Sequence, residues 1–326
     1  MKIYITLDYE LFFGDKPGSA ESCITAPTQA LLEVLDPHGI KATFYVDAGY
    51  LMALERQLDE LPKLQKQYDL VSGQIQKLAT DGHSIQLHVH PHWEDTFFKD
   101  GDWQMDTTRY RLADFTDDEV MEIVTRYNEI LSRISGKPCS SYRAGGWSAQ
   151  PFEAIGKALA ANDIFLDSTA FPKGYYKSAD QFYDFSKIPE FTSEYQFSED
   201  PGVIDPAGKF KEIPIGAHRV SPFFFWRFVL VKLFGGDKHK GLGNGHAIKK
   251  EGNDIFRLLT RFSNSVVSID GFKASYLQKA LNRYKKNAKP DANFVIIGHP
   301  KALSLYSLEK LEQFIARNTD LEYHLL

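Results

Sequence analysis

The chain has 326 residues, 43% of them hydrophobic, enough to bury one large α/β core or two ordinary ones. Its 38 Lys and Arg against 43 Asp and Glu give a formal charge of −5, and no basic run of the kind that grips a phosphate backbone stands out, so nucleic acid is not an expected partner. The longest apolar run, Pro222 to Phe234, is interrupted at Arg227 and Lys232 and is too short to span a bilayer, and two cysteines, Cys23 and Cys139, point to buried thiols in a reducing compartment rather than a disulfide scaffold.

The N-terminus, MKIYITLDYE, enters a β-rich run at once with no apolar segment and cleavage site ahead of it, so a cytoplasmic location is expected. KIYITLD (2–8) reads as the first strand, and Pro27 opens a helix that carries QALLEVL. KATFYVDA (41–48) is a second strand. From Pro62 to Thr80, Leu64, Leu70, Ile75 and Leu78 are spaced for a helix buried on one side and closed by Gly82. SIQLHVH (84–90) is a third strand, followed by a polar and aromatic loop over 94–115. TDDEVMEIVTRYNEILSRI (116–134) opens with a Thr and a Glu three residues on, a capping box. SYRAGG, IFLDST, FKEIPIGA and NFVIIGHP then read as short strands, separated by helical runs such as PFEAIGKALAAN, and SLEKLEQFIARN (307–318) is a capped terminal helix. This alternation predicts parallel strands covered by helices, a barrel or a doubly wound sheet, in one domain over 1–326 with insertions at about 94–115 and 217–254.

Polar residues gather where these strands end: Asp8 and Glu10 after the first, His88, His90 and His92 after the third, Arg143 in the fourth, Asp167 in the fifth, His299 in the last. In α/β barrels and open sheets the loops at that edge ring one cleft. An isolated Asp at a strand end is more often a turn former, and an isolated His a satisfied polar group, but five such ends on one rim are hard to explain by packing. Imidazole is the commonest ligand for divalent transition metals. Strand alternation puts His88 and His90 on one face, while Pro91 ends the strand and lets His92 fold back to pair with His88 instead. Asp8 and Glu10 also share a face, so one carboxylate can bind metal while the other takes a proton from water.

TLDYE, KATFYVDAGYL, GHSIQLHVHPHW, YRAGGW, FLDST and IIGHPK stand in the order and near the spacing of the motifs of polysaccharide deacetylases, and from Thr6 to Lys301 the chain resembles that family, also called NodB-like or carbohydrate esterase family four. The resemblance implies a (β/α) barrel, a distorted seven-stranded one, and a hydrolase of carbon–nitrogen bonds other than peptides. It would remove an N-acetyl group from a sugar, oligosaccharide or carrier-linked saccharide, with surface polysaccharide (O-antigen or capsule) biosynthesis as the expected setting. It implies Asp8 as catalytic base, Arg143 orienting it, Asp167 as a further acidic residue of the site, and His299 as general acid. His88 and His92 match the metal-binding histidines, with zinc the first choice of divalent ion. Trp93, Gly145, Gly146 and Trp147 would line the substrate groove. The departure is Tyr9, where the common form has a second aspartate, so Glu10 is assigned to the metal, with exchange of roles between Asp8 and Glu10 left open. His90 is a spare. The alternatives are hydrolysis of another linear amide and a saccharide-binding barrel without catalysis.

Two features stand outside the motifs. Trp93, Phe97, Phe98, Trp103 and Tyr110 make the loop after the histidines aromatic, fitting either a wall for a sugar or a loop anchor. FFFWRFVLVKLF (223–234), apolar nearly all round, reads as core or a homodimer face ahead of a membrane contact, and His218 and Arg219 are placed at a strand end near the cleft.

Overall fold

The computed structural model describes residues 1–246 and 252–326, so residues 247–251 of the expected 217–254 insertion lie outside the described residues. The chain runs through β1 (Lys2–Tyr9), α1 (Ala26–Leu35), β2 (Thr43–Asp47), α2 (Ala48–Glu55), α3 (Gln65–Thr80) and β3 (Ser84–Val89). It continues through β4 (Phe97–Lys99), β5 (Asp102–Gln104), α4 (Asp117–Ser135), β6 (Ser141–Ala144), α5 (Glu153–Ala161) and β7 (Leu166–Asp167). Next come β8 (Tyr175–Lys177), β9 (Phe182–Asp184), β10 (Tyr195–Phe197), β11 (Phe210–Glu212), β12 (Ala217–Val220) and α6 (Pro222–Phe234). The last elements are α7 (Gly252–Thr260), β13 (Ser263–Val266), α8 (Leu277–Asn287), β14 (Asn293–Gly298), α9 (Leu305–Arg317) and β15 (Glu322–His324).

Seven parallel strands form the frame, in the order β11-β7-β6-β3-β2-β1-β14, with β10 antiparallel on β11 and β15 beside the start of β1. The sheet curls into a partial barrel. Its two ends are joined by scattered backbone bonds rather than a continuous ladder: Gly216 N to the Val295 carbonyl (2.9 Å), Val267 N to Gly216 (2.6 Å) and Ile269 N to Ile297 (2.9 Å). The sequence explains the gap. Pro214 has no N–H to give a ladder, so the stretch read as one strand, FKEIPIGA, divides into β11 and β12.

Strand β1 is buried along nearly its whole length, as a strand covered on both faces must be, and Ile3, Ile5 and Leu7 lie in the main hydrophobic core. Thr116 caps α4 through the expected capping box with Glu119. The terminal helix starts earlier than SLEKLEQ, because Ser304 supplies the cap and Ser307 is its third residue. Residues 94–115 are not an open loop: they hold the β4–β5 hairpin, whose Trp103 is buried against Tyr50 and Trp93. Both cysteines are free and buried.

Candidate active site

Register sets the site. The parallel ladder places Asp47 beside His88 and His88 beside Arg143, so the ends of β2, β3 and β6 point polar groups to the same side. Alternation along β1 sends Tyr9 the other way, where its hydroxyl donates to Gln74 Oε1 at 2.8 Å, while Asp8 and Glu10 turn into a cleft. The cleft holds about 420 Å³ and is walled by Phe13, Tyr110, Trp147, Tyr176 and Tyr183.

Asp8 and Glu10 have separate partner sets. Arg143 Nη1 donates to Asp8 Oδ1 at 2.7 Å, and His299 Nε2 stands 3.6 Å from Asp8 Oδ2. The Arg143 guanidinium is fully buried, so its orientation depends on fixed acceptors: Nε donates to the Ser168 carbonyl at 2.7 Å and Nη2 to Ser168 Oγ at 3.1 Å, with the Tyr45 ring 4.0 Å below. Glu10 Oε2 is 3.1 Å from His88 Nε2 and 2.8 Å from His90 Nε2, while Oε1 accepts from Lys301 Nζ at 2.8 Å. Burial works against the Glu10 charge, yet Lys301 and the two histidines outweigh it and hold the carboxyl well below its ordinary range. His88 is the reverse: burial opposes its protonation, and Asp8 and Glu10 raise it nonetheless.

His299 reaches the cleft on the end of β14. Its Nδ1 donates to Asp270 Oδ2 at 2.9 Å, and its backbone N donates to Asp270 Oδ1 at 2.9 Å, which leaves Nε2 facing Asp8. Burial disfavours the imidazolium, but Asp270, Asp8 and Glu10 together raise its pKa, so the ring holds a proton more firmly than a free histidine.

Among the described residues, Glu10, His88 and His90 offer ligand atoms that all lie within 4.8 Å of one another. His88 Nδ1 donates to the Arg143 carbonyl at 2.9 Å, which commits that nitrogen's proton and leaves Nε2 as the nitrogen aimed at Glu10. Burial pushes His90 down to about 4, so its ring is neutral and its Nε2 can exchange a proton for a cation. Three electron-pair donors aimed at one another in a buried pocket repel unless a cation or a proton lies between them, and one carboxylate with two imidazoles is a donor set that suits a divalent transition metal.

His92, expected as the second histidine of that group, is not in it. His90 keeps an extended backbone and stays on the His88 face, whereas Pro91 begins a tight turn that carries His92 under the aromatic wall. There its ring lies nearly parallel to Tyr110 at 5.7 Å and edge-on to Phe13 at 4.8 Å, and burial drives its pKa far down. Three other assignments change. Trp93 is 0% exposed and donates to Asp47 Oδ2 at 2.6 Å, so it is core and not groove. Gly145 is buried below His90: a Cβ there would stand 2.6 Å from the imidazole, so the glycine makes room for the ring instead of meeting substrate. Asp167 is fully buried and does not line the cleft. It accepts from Thr169 Oγ1 at 2.5 Å, Thr169 in turn accepts from the Ala144 N–H at 2.9 Å, and burial pushes Asp167 up to about 7 and raises its neighbour Glu212 as well. Asp167 thus supports the end of β6. Gly146, at φ +56°, and Trp147 do line the cleft. His218 and Arg219 lie away from it, His218 against Tyr276 and Arg219 over Phe262.

Two residues of the site had no assigned role. Asp270 ends a β-rich run just as Asp8 does, and Lys301 follows the His299-Pro300 turn; both signals were present in SVVSIDG and GHPK.

The family model described as "Polysaccharide deacetylase" matches residues 2–154. A search of curated proteins finds no match. Among solved structures the chain is similar to a protein described as a polysaccharide deacetylase from Mycobacterium smegmatis, with 16% identity, TM-score 0.47, and coverage of 99% of this chain and 86% of that one. It is similar also to the catalytic domain of a peptidoglycan N-acetylglucosamine deacetylase from Eubacterium rectale (13%, TM-score 0.41, 99% and 87%) and to Puue allantoinase (11%, TM-score 0.48, 100% and 86%). Residues 2–154, which carry Asp8, Glu10, the histidine cluster and Arg143, thus match the polysaccharide deacetylase family, hydrolases of carbon–nitrogen bonds other than peptides.

Proposed function

We propose that the protein is a metal-dependent hydrolase that removes the acetyl group from an N-acetylated sugar. The observation that carries this reading is the pair of differently partnered carboxylates in one cleft, Asp8 held by Arg143 beside His299, and Glu10 held by Lys301 beside His88 and His90. Glu10, His88 and His90 would hold the cation, zinc being the ion their donor set fits best. When bound, it supplies a Lewis acid that acidifies water and polarises the acetyl carbonyl.

The remaining work falls to the chain's own groups. Asp8 accepts the proton of the attacking water at the oxygen not engaged by Arg143, and Arg143 keeps the carboxylate ionised and aimed. His299 gives its Nε2 proton to the nitrogen as the C–N bond breaks, so acetate and an amine leave. Asp270 fixes the ring so that this nitrogen, and not Nδ1, faces the reaction. Lys301 occupies one Glu10 oxygen and so restricts that carboxylate to a single donor atom. Phe13, Tyr110, Trp147 and Tyr183 present rings on which the apolar face of a sugar can stack.

The test is acetate release from N-acetylglucosamine oligomers by protein stripped with chelator and reloaded with zinc or cobalt. Release that requires added metal and fails in Asp8→Asn is expected. No acetate from any N-acetylated oligosaccharide by metal-loaded protein overturns the proposal.

A further inference from the structure

Helix α6 is apolar on both sides. Its inward residues, Phe224, Phe225 and Val231, pack with Phe272, Tyr276 and Tyr306 in a small separate cluster. Its outward residues are Phe223, Trp226, Leu230, Leu233 and Phe234, exposed at 66%, 51%, 52%, 67% and 79%. Their spacing of three, four, three and one puts them in one stripe along the helix. A surface helix ordinarily turns charge and amide groups outward, so a second apolar face marks contact with another apolar phase. Phe256 on α7 and Phe262 before β13 are exposed at 70% and 60%, and Trp226 Nε1 donates to the Leu259 carbonyl, which ties α6 to that neighbour.

The segment around this stripe is mostly basic. The described residues among 217–262 carry seven Lys and Arg against two Asp and Glu, in a chain whose formal charge is −5. At the start of α6 a second cavity of about 290 Å³ is lined by Arg219, Ser221, Phe262, Tyr276, Lys279 and Arg283, together with Val220, and among the described residues no carboxylate lines it. Arg283 Nη1 donates to the Arg219 carbonyl at 2.5 Å, and Lys279 stands over the Tyr276 ring at 5.3 Å, so two of the three cations are held in place. Ser221 gives α6 no side-chain cap, leaving the helix's N-terminal field directed at the same space. His218, stacked on Tyr276, is pushed down to about 4 by burial and then by Arg283, Lys279 and Lys273.

We propose that α6 docks on the surface of an anionic phospholipid bilayer, with Phe223, Trp226, Leu230, Leu233 and Phe234 entering the interface and Arg219, Lys279 and Arg283 taking a headgroup phosphate. A helix of 13 residues lies on a membrane and does not cross it, and no described helix is long and apolar enough to span one. A second copy of the chain is a poorer occupant, because a two-fold contact would bring the basic rims of both copies together. The docking face joins the cleft through the Gly271–Tyr276 turn, which starts right after Asp270, so the bilayer would lie close to His299. This inference does not depend on the deacetylase reading.

The experiment is co-sedimentation of the full chain with phosphatidylcholine vesicles, with and without phosphatidylglycerol, combined with tryptophan emission. Binding at least about tenfold tighter to the anionic vesicles, weakened by salt, is expected, with a blue shift that disappears in Trp226→Phe while binding persists. Leu233→Glu with Phe234→Glu, and separately Lys279→Glu, should each lose about tenfold or more in binding, with unchanged circular dichroism. Failure to sediment with either vesicle overturns the proposal. So does a wild-type dimer in solution that Phe234→Glu turns into a monomer, or binding of inorganic phosphate at Lys279 with no affinity for vesicles.

Discussion

The cleft and helix α6 break the ordinary rule of burial in opposite directions. At the rim of β1, β3, β6 and β14, charged and titratable groups are inside: Asp8, Glu10, His88, His90 and Arg143 are all at least 95% buried. On α6 large apolar side chains are outside. Neither arrangement is stable without a partner, and the difference lies in where the partner is. The cleft supplies most of its own, each carboxylate meeting a cation within 2.8 Å. The outer stripe of α6 has little of its own: Trp226 reaches the Leu259 carbonyl and Arg227 stands over the Phe223 ring, while the rest of its apolar surface stays exposed. A buried charge is therefore a statement about chemistry within the chain, and an exposed apolar stripe is a statement about what lies beyond it.

The largest effect that would sharpen this contrast is on turnover. Asp8→Asn keeps the hydrogen bond to Arg143 but removes the proton acceptor, so kcat should fall by about 10²–10⁴ while metal content is retained. Glu10→Gln should instead lower metal content, read by elemental analysis of the purified variants. If Asp8→Asn loses the metal and Glu10→Gln keeps it, the two carboxylates have exchanged roles.

Next comes the cost of stranding a buried charge. Lys301→Met leaves Glu10 without its cation, and denaturant titration of the metal-free protein should show a loss of about 3–5 kcal/mol. The sign with pH follows from Glu10, whose pKa is lowered on folding. Its contribution is present above the ordinary glutamate range and disappears as pH falls through the lowered value, so wild type should keep this stability further into acid than Lys301→Met. A variant as stable as wild type at neutral pH would show that the cleft does not depend on this pair.

A smaller effect is expected on the pH profile. Asp270 raises the His299 pKa, and the proton-donating form is lost as pH rises through that raised value. Asp270→Asn should move the alkaline limb of kcat to lower pH, with little change in the acid limb. An unmoved alkaline limb would assign that limb to some other group.

Much of the cleft is legible in the chain because strand ends announce themselves: a β-rich run followed by Asp8, Arg143 or His299 needs only the parallel topology to bring these residues together. The seven parallel strands follow from the same alternation. What is not legible depends on side-chain direction at the exact residue where extended backbone stops. His90 and His92 differ only in which side of Pro91 they stand, and that decides which of them meets Glu10. Trp93 and Gly145 follow the same logic: adjacency to the site in sequence cannot separate a residue that faces the cleft from one that supports it from behind. The Asp167–Glu212 pair depends on strands forty-five residues apart, a contact that no local pattern encodes.

The smallest effect tests the comparison most directly, because both arms sit on one helix. Phe224 is 2% exposed and packs on Tyr276 at 4.6 Å, so Phe224→Ala should destabilise by about 3–5 kcal/mol. Phe234 is 79% exposed ten residues later, and Phe234→Ser should stay within about 0.5 kcal/mol of wild type, as a surface change does. Equal losses at the two positions would mean that the outer stripe is already covered in the isolated protein. A large loss at Phe224 with almost none at Phe234 would leave the outer stripe with no part in holding the fold, and its five large apolar side chains would then need a role outside the chain.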